Sequence, residues 1–265
     1  MYKTLATWLL TPLLFCAGHA AAQTASRVVD IPTRAGVTQR LLVLTPPEPK
    51  AVAILFAGGH GGLQIYSGGD MQFGKGNFLI RTRQLFADQG VQVVIVDTPS
   101  DRQSPPYLSG FRQTPEHLAD IKAVIAWSRT QNDLPVWLVG TSRGTQSAAA
   151  VAVATSGDKA GPDGLVLTSS IMQEAPGYRA VPDMPLDKLT IPVLVVHHEQ
   201  DGCRSCLFSN VPAMMDKLTA APRKQLLTFK GGNNRGDPCE ALAYHGFNGL
   251  EADVVAQTAG WMLAK

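Results

Sequence analysis

Apolar runs of five or six residues, separated by stretches with helical period, set the pattern of this chain. Ala51 to Phe56, Val91 to Val96, Pro135 to Val139, Gly164 to Thr168 and Ile191 to Val196 are almost continuously apolar. Such runs belong to strands buried on both faces. Lys224 to Phe229 makes the last strand. Between them, Asn77 to Gln89 reads as an amphipathic helix stopped by Gly90, and a second helix starts at Thr114-Pro115-Glu116. There threonine suits the N-cap and proline the first helical position. A small-residue helix covers Thr145 to Thr155, and further helices cover Val211 to Leu218 and Glu251 to Leu263. Ahead of all these, residues 26–34 and 37–45 form two short strands around Ala35-Gly36, and Pro46-Pro47 ends the second. Strands alternating with helices predict an α/β fold. The central sheet is mostly parallel, with helices on both faces and an antiparallel N-terminal edge.

Two connections depart from this rhythm. Thr168 to Ile191 is rich in Pro and Gly and has no helical period, so any cap there is a loop rather than a helical lid. Gly61 to Gly76 is long for a strand-to-helix connection, and loops of that length usually carry function. Within it, Gly69 to Gly76 has the spacing of a phosphate-binding loop. However, Gly76 stands where a Ser or Thr would be needed to hold magnesium, and the segment begins well beyond its strand. It reads as a flexible, substrate-facing segment, with Tyr66 and Phe73 as pocket walls.

The N-terminus has a separate character. Lys3 is followed by an apolar stretch from Leu5 to Gly18 and then by Ala20-Ala21-Ala22-Gln23. A basic start, a short apolar core and small residues at the end describe a secretory signal peptide, residues 1–22, with residues 23–265 as a single domain. The stretch is too short for a membrane span, and bulky Phe15 before Cys16 disfavours a lipoprotein signal. A secreted or periplasmic location follows. Length and an apolar fraction of 45% fit one sizeable core. The formal charge of +2 is spread out, with no basic patch interleaved with aromatics, so nucleic acid is not an expected partner. After signal removal Cys203, Cys206 and Cys239 remain, enough for one bridge and one free thiol. Zinc at Cys203-x-x-Cys206 is the alternative, but it lacks a second ligand pair at usable spacing.

The chemistry centres on Gly140-Thr141-Ser142-Arg143-Gly144, which lies between an apolar strand and a small-residue helix. In that context G-x-S-x-G is a nucleophile elbow, a sharp turn that exposes the serine hydroxyl. The hydroxyl needs a base, and the base needs an acid that fixes its tautomer. On such a sheet the three follow in the order Ser, acid, His. His245 is the only histidine after residue 198. The strand ending at Val196 runs into His197-His198-Glu199-Gln200-Asp201. Asp201 is the favoured acid because a turn must intervene before its side chain faces the histidine, and Glu199 is the reserve. His197 and His198 pack or support the acid turn, since no third ligand is spaced to make them a metal site. Oxyanion donors are expected at the Arg143 amide and at Gly59 or His60, in the glycine loop Ala57-Gly58-Gly59-His60-Gly61-Gly62.

On these residues the chain resembles the α/β-hydrolase superfamily from about residue 25 onward, and within it the secreted bacterial members with small caps. The glycine loop differs from the lipase pattern His-Gly-Gly-Gly, and Arg143 is an unusual neighbour for the nucleophile. The resemblance implies a serine hydrolase acting on an ester-type bond of a small-molecule or acyl substrate through Ser142, Asp201 and His245, with no cofactor and no metal. The same three residues could cleave amides or lactones, and a non-catalytic binding protein at the cell surface is the reading from another class. In this setting a Cys203–Cys239 bridge would tie the acid loop to the histidine loop.

Overall fold

The computed structural model describes residues 23–174 and 178–264. The expected signal peptide lies outside the described residues. Eight strands form one sheet: β1 (Ala25–Arg34), β2 (Val37–Thr45), β3 (Ala51–Phe56), β4 (Val91–Pro99), β5 (Val136–Thr141), β6 (Gly164–Thr168), β7 (Val193–His198) and β8 (Lys224–Phe229). Their spatial order is β1-β2-β4-β3-β5-β6-β7-β8. β2 runs antiparallel to both of its neighbours, and every pair from β4 through β3 to β8 is parallel. The antiparallel character of the N-terminal edge therefore resides in β2 alone.

The apolar runs are continuous because both faces of the sheet are covered. Alternate residues serve opposite layers. Val52 and Ile54 pack with α3 (Pro115–Gln131), α4 (Gly144–Ala154) and α5 (Val211–Asp216). Ala53 and Leu55 pack with α1 (Phe78–Arg81), α2 (Arg83–Asp88) and α6 (Glu251–Leu263). Thr114 caps α3 as expected, its hydroxyl accepting from the His117 amide, with Pro115 in the first turn. No helix among the described residues is long and apolar enough to cross a membrane.

Two expectations change. The helix read over Asn77 to Gln89 is two short helices, broken at Thr82, whose hydroxyl donates to the Phe78 carbonyl at 2.7 Å. Side-chain bonding of this kind competes with regular helix geometry. The segment Gly69 to Gly76, read as flexible, is tied back onto the start of its loop, Met71 forming a bridge with Ile65 and the Gln72 and Phe73 amides donating to the Leu63 carbonyl. Asp97, buried at the end of β4, accepts the amides of Leu63, Gln64 and Ile65 as well as that of Thr98. Leu63, Ile65 and Met71 are buried beneath it.

Candidate active site

Ligand sites in open α/β sheets form at the carboxyl ends of the strands, and every residue discussed here lies at that end. Ser142 follows β5 with φ +52°, in the left-handed region that β-carbon sterics disfavour. The turn survives because Gly140 and Gly144, two residues to either side, have no side chains. A Cβ on Gly144 would sit 2.0 Å from the Phe56 carbonyl oxygen, and one on Gly140 would sit 2.5 Å from the Gly144 oxygen. The Ser142 amide donates to Thr168 on β6 at 3.0 Å, and its carbonyl accepts from the Thr145 amide and hydroxyl.

Asp201 follows β7 by a short turn, closed by its own amide donating to the His198 carbonyl. Its Oδ2 accepts from His245 Nδ1 at 2.8 Å and its Oδ1 from the Cys203 amide at 2.9 Å. His197 Nε2 donates to the Cys206 carbonyl at 2.7 Å and stands 3.5 Å from Asp201 Oδ2. Burial alone would raise the Asp201 carboxyl. Hydrogen bonds from His197 and His245, the His245 charge and the Cys203 amide outweigh burial and hold its pKa below the usual carboxylate value. The carboxyl is therefore ionised at neutral pH, and it fixes the His245 proton on Nδ1. His245 Nε2 is buried without a partner among the described residues, and no hydrogen bond joins it to Ser142 Oγ. Both residues line one cleft of about 690 Å³.

Fourteen residues of mostly exposed chain separate β8 from the turn that carries His245, so that turn must be fastened from several sides. Cys239 is disulfide-bonded to Cys203, joining the histidine loop to the acid loop. Ser169, itself at φ +45°, donates from its hydroxyl to the His245 carbonyl at 2.7 Å. Arg81 of α1 donates to the Gly246 carbonyl while pairing with Glu251 of α6 at 2.8 Å. A Cβ on Gly246 would lie 2.1 Å from the Ala241 oxygen, so only glycine fits beside the histidine. Cys206 is a buried free thiol, and burial, then the Asp201 charge, push its pKa up. Its sulfur, that of Cys203 and a His245 ring nitrogen lie within 4.8 Å of one another. The Cys203 sulfur is committed to the disulfide and His245 Nδ1 to Asp201.

The opposite wall is the glycine loop after β3. A Cβ at Gly58 would stand 3.0 Å from Ser142 Cβ and 3.2 Å from the Thr141 oxygen. Behind the loop, the buried guanidinium of Arg112 donates to the carbonyls of Ala57 and Gly59 and to Ser147 Oγ. These carbonyls are thereby held away from the cleft. No carboxylate pairs with Arg112 among the described residues. Burial, then the charge of Arg143, lower its pKa to about 9, so it is a cation at neutral pH. Arg143 is exposed at the start of α4 and lines the cleft with Gly59 and His60. The His60 ring stacks on Tyr107 at 4.5 Å. Burial, then Arg112, lower its pKa.

Searches of family models and of curated proteins return no match. Solved structures do match. Dienelactone hydrolase from Anabaena variabilis aligns with a TM-score of 0.60 at 14% identity, over 91% of this chain and 96% of that one. The esterase domain of a Rhodothermus marinus protein gives 0.60 at 14%, over 90% and 98%. An α/β serine hydrolase without lid from Xanthomonas campestris gives 0.55 at 16%, over 89% and 95%. The chain has the α/β-hydrolase fold. At these identities the likeness concerns the backbone path, and the side chains have to be read from this structure.

Within that fold, the structure brings Ser142, His245, Arg143, Gly59 and His60 to one cleft, with Asp201 bonded to His245 and the Cys203–Cys239 bridge on the wall. It does not bring the two aromatic wall residues there. Tyr66 is 51% exposed at the tip of the anchored loop. Phe73 stands behind His60, its ring edge-on at 5.5 Å. Neither lines the cleft. Glu199, the reserve acid, turns to the surface and pairs with Lys230 at 3.0 Å. Asp97, Arg112 and Ser169 were not legible as site residues, since each acts on backbone groups that only the folded chain brings near.

Proposed function

We propose that the protein is a serine hydrolase that cleaves carboxylic esters through an acyl-enzyme. The observation that carries this reading is the pairing of a buried, ionised Asp201 with His245 Nδ1, which leaves Nε2 unpartnered in the cleft that Ser142 enters from a strained turn. In this reading His245 Nε2 takes the Ser142 proton as Oγ bonds to the acyl carbon, and the carbonyl π pair moves to oxygen. The amides of Arg143 and of Gly59 or His60 receive that oxyanion. They are held by the start of α4 and by Arg112 behind the glycine loop. His245 then protonates the leaving alcohol, and water releases the acyl group by the same route.

The hydrolase and esterase names of the similar solved structures support this reading, as does a cleft over which no helical lid lies among the described residues. The serine mechanism and the preference for esters are our inference. A fluorophosphonate probe tests it: we expect labelling of the wild type and none of Ser142→Ala. Labelling that persists in that variant, or an unlabelled wild type, would overturn the reading. Export to an oxidising compartment belongs to the same proposal, supported by the disulfide.

A further inference from the structure

Asn77 places a polar side chain on the cleft wall. It stands immediately before α1, where an Asn would ordinarily cap the helix, yet its side chain makes no capping hydrogen bond. Its Oδ1 is buried and has no partner among the described residues. Its Nδ2 lies 3.2 Å from the point a Gly58 Cβ would occupy, and Ser142 Cβ lies 3.0 Å from that same point. The carboxamide, the glycine loop and the nucleophile thus converge on one spot. A buried carboxamide oxygen without a partner costs stability. Sites of ligand binding are where that cost is tolerated.

We propose that Asn77 is a further catalytic residue, its Nδ2–H donating to the oxyanion beside the backbone amides. The inference rests on the serine hydrolase reading. When Oγ bonds to the acyl carbon, the carbonyl oxygen gains a full negative charge and moves toward the glycine loop. Asn77 makes or breaks no covalent bond in this step. Its N–H strengthens a contact as the charge develops, which selects the transition state over the bound ester. Its backbone is anchored by its own N–H on the Gly74 carbonyl and by the Arg81 N–H on its carbonyl, so the carboxamide is presented from a fixed Cα.

The test compares the wild type with Asn77→Ala and Asn77→Asp in three measurements: the rate of fluorophosphonate labelling, p-nitrophenyl acetate hydrolysis and inhibition by phenylboronic acid. For Asn77→Ala we expect labelling and kcat to fall about 100- to 1,000-fold, as for a lost oxyanion donor, with KM nearly constant. The phenylboronic acid Ki should rise in step, while Tm stays level or increases because no intramolecular hydrogen bond is lost. Asn77→Asp keeps the shape but presents an anion, so it should be slower than Asn77→Ala. Wild-type rates in Asn77→Ala, a loss carried by KM, a matching fall in Tm, or a faster Asn77→Asp would each overturn the role of Asn77. A wild type that the probe does not label at Ser142 overturns the hydrolase reading and Asn77 with it. A labelled wild type with an unimpaired Asn77→Ala overturns Asn77 alone.

Discussion

Glu199 and Asp201 lie two residues apart after β7, and the fold gives them opposite surroundings. Asp201 is buried between His197 and His245, whereas Glu199 faces Lys230 at the surface. Asp201→Asn should retain the fold but lower kcat by about 10⁴, because the imidazole loses the partner that fixes its tautomer. Glu199→Gln should hydrolyse p-nitrophenyl acetate at the wild-type rate. A strong loss in the second variant, or none in the first, would reassign the acid. Ser142, Asp201 and His245 could be singled out along the chain because the proposed chemistry demands a residue type, an order along the chain and a strand end. Asn77 and Arg112 meet no such pattern. Their roles come from what faces them, the carbonyls of Ala57 and Gly59 and the spot beside Gly58.

At the scale of elements, α3 contains an unusual core residue. His117 is buried between Phe56 and Phe111, and neither ring nitrogen has a partner among the described residues. Burial, then the charges of Arg112 and Arg34, lower its pKa from 6.5 to about 3. Between those values the unfolded chain binds a proton that the folded chain refuses, so stability falls as the pH drops from about 6.5 towards 3. His117→Leu should flatten that limb of a urea-melt series and, with the orphaned nitrogens removed, add about 1–2 kcal/mol at pH 7. An unchanged acid limb would place the titration elsewhere. Most elements were visible as apolar runs because both faces of the sheet are buried. The break at Thr82 was not, since a threonine can serve a helix or bend it depending on where its hydroxyl finds a carbonyl.

For the whole molecule, the sheet order could not be read from the chain. Only packing places β3 between β4 and β5 and so sets the glycine loop beside Ser142. The disulfide acts at this scale as well. It joins residues 36 apart, a loop whose closure in the unfolded chain is worth about 4 kcal/mol in the chain-entropy view. Within that loop lie α5 and β8. Cys203→Ser/Cys239→Ser should melt earlier and hydrolyse more slowly. A thiol reductant should impose the same loss on the wild type and none on the variant, and a reductant-insensitive wild type would count against the bridge as a support of the histidine turn.

Asp97 has a consequence for how such a chain can vary. One carboxylate holds the amides of residues 63 to 65 against the end of β4, and Ile65 and Met71 form a bridge beyond them. The tip that follows is closed on itself, with the Tyr66 amide on the Asp70 carbonyl and the Gly69 amide on the Tyr66 carbonyl. Changes of length or composition at Ser67 and Gly68 therefore end at that bridge and do not reach Ser142. The tip is a place where the protein can acquire new surface chemistry while the cleft keeps its shape.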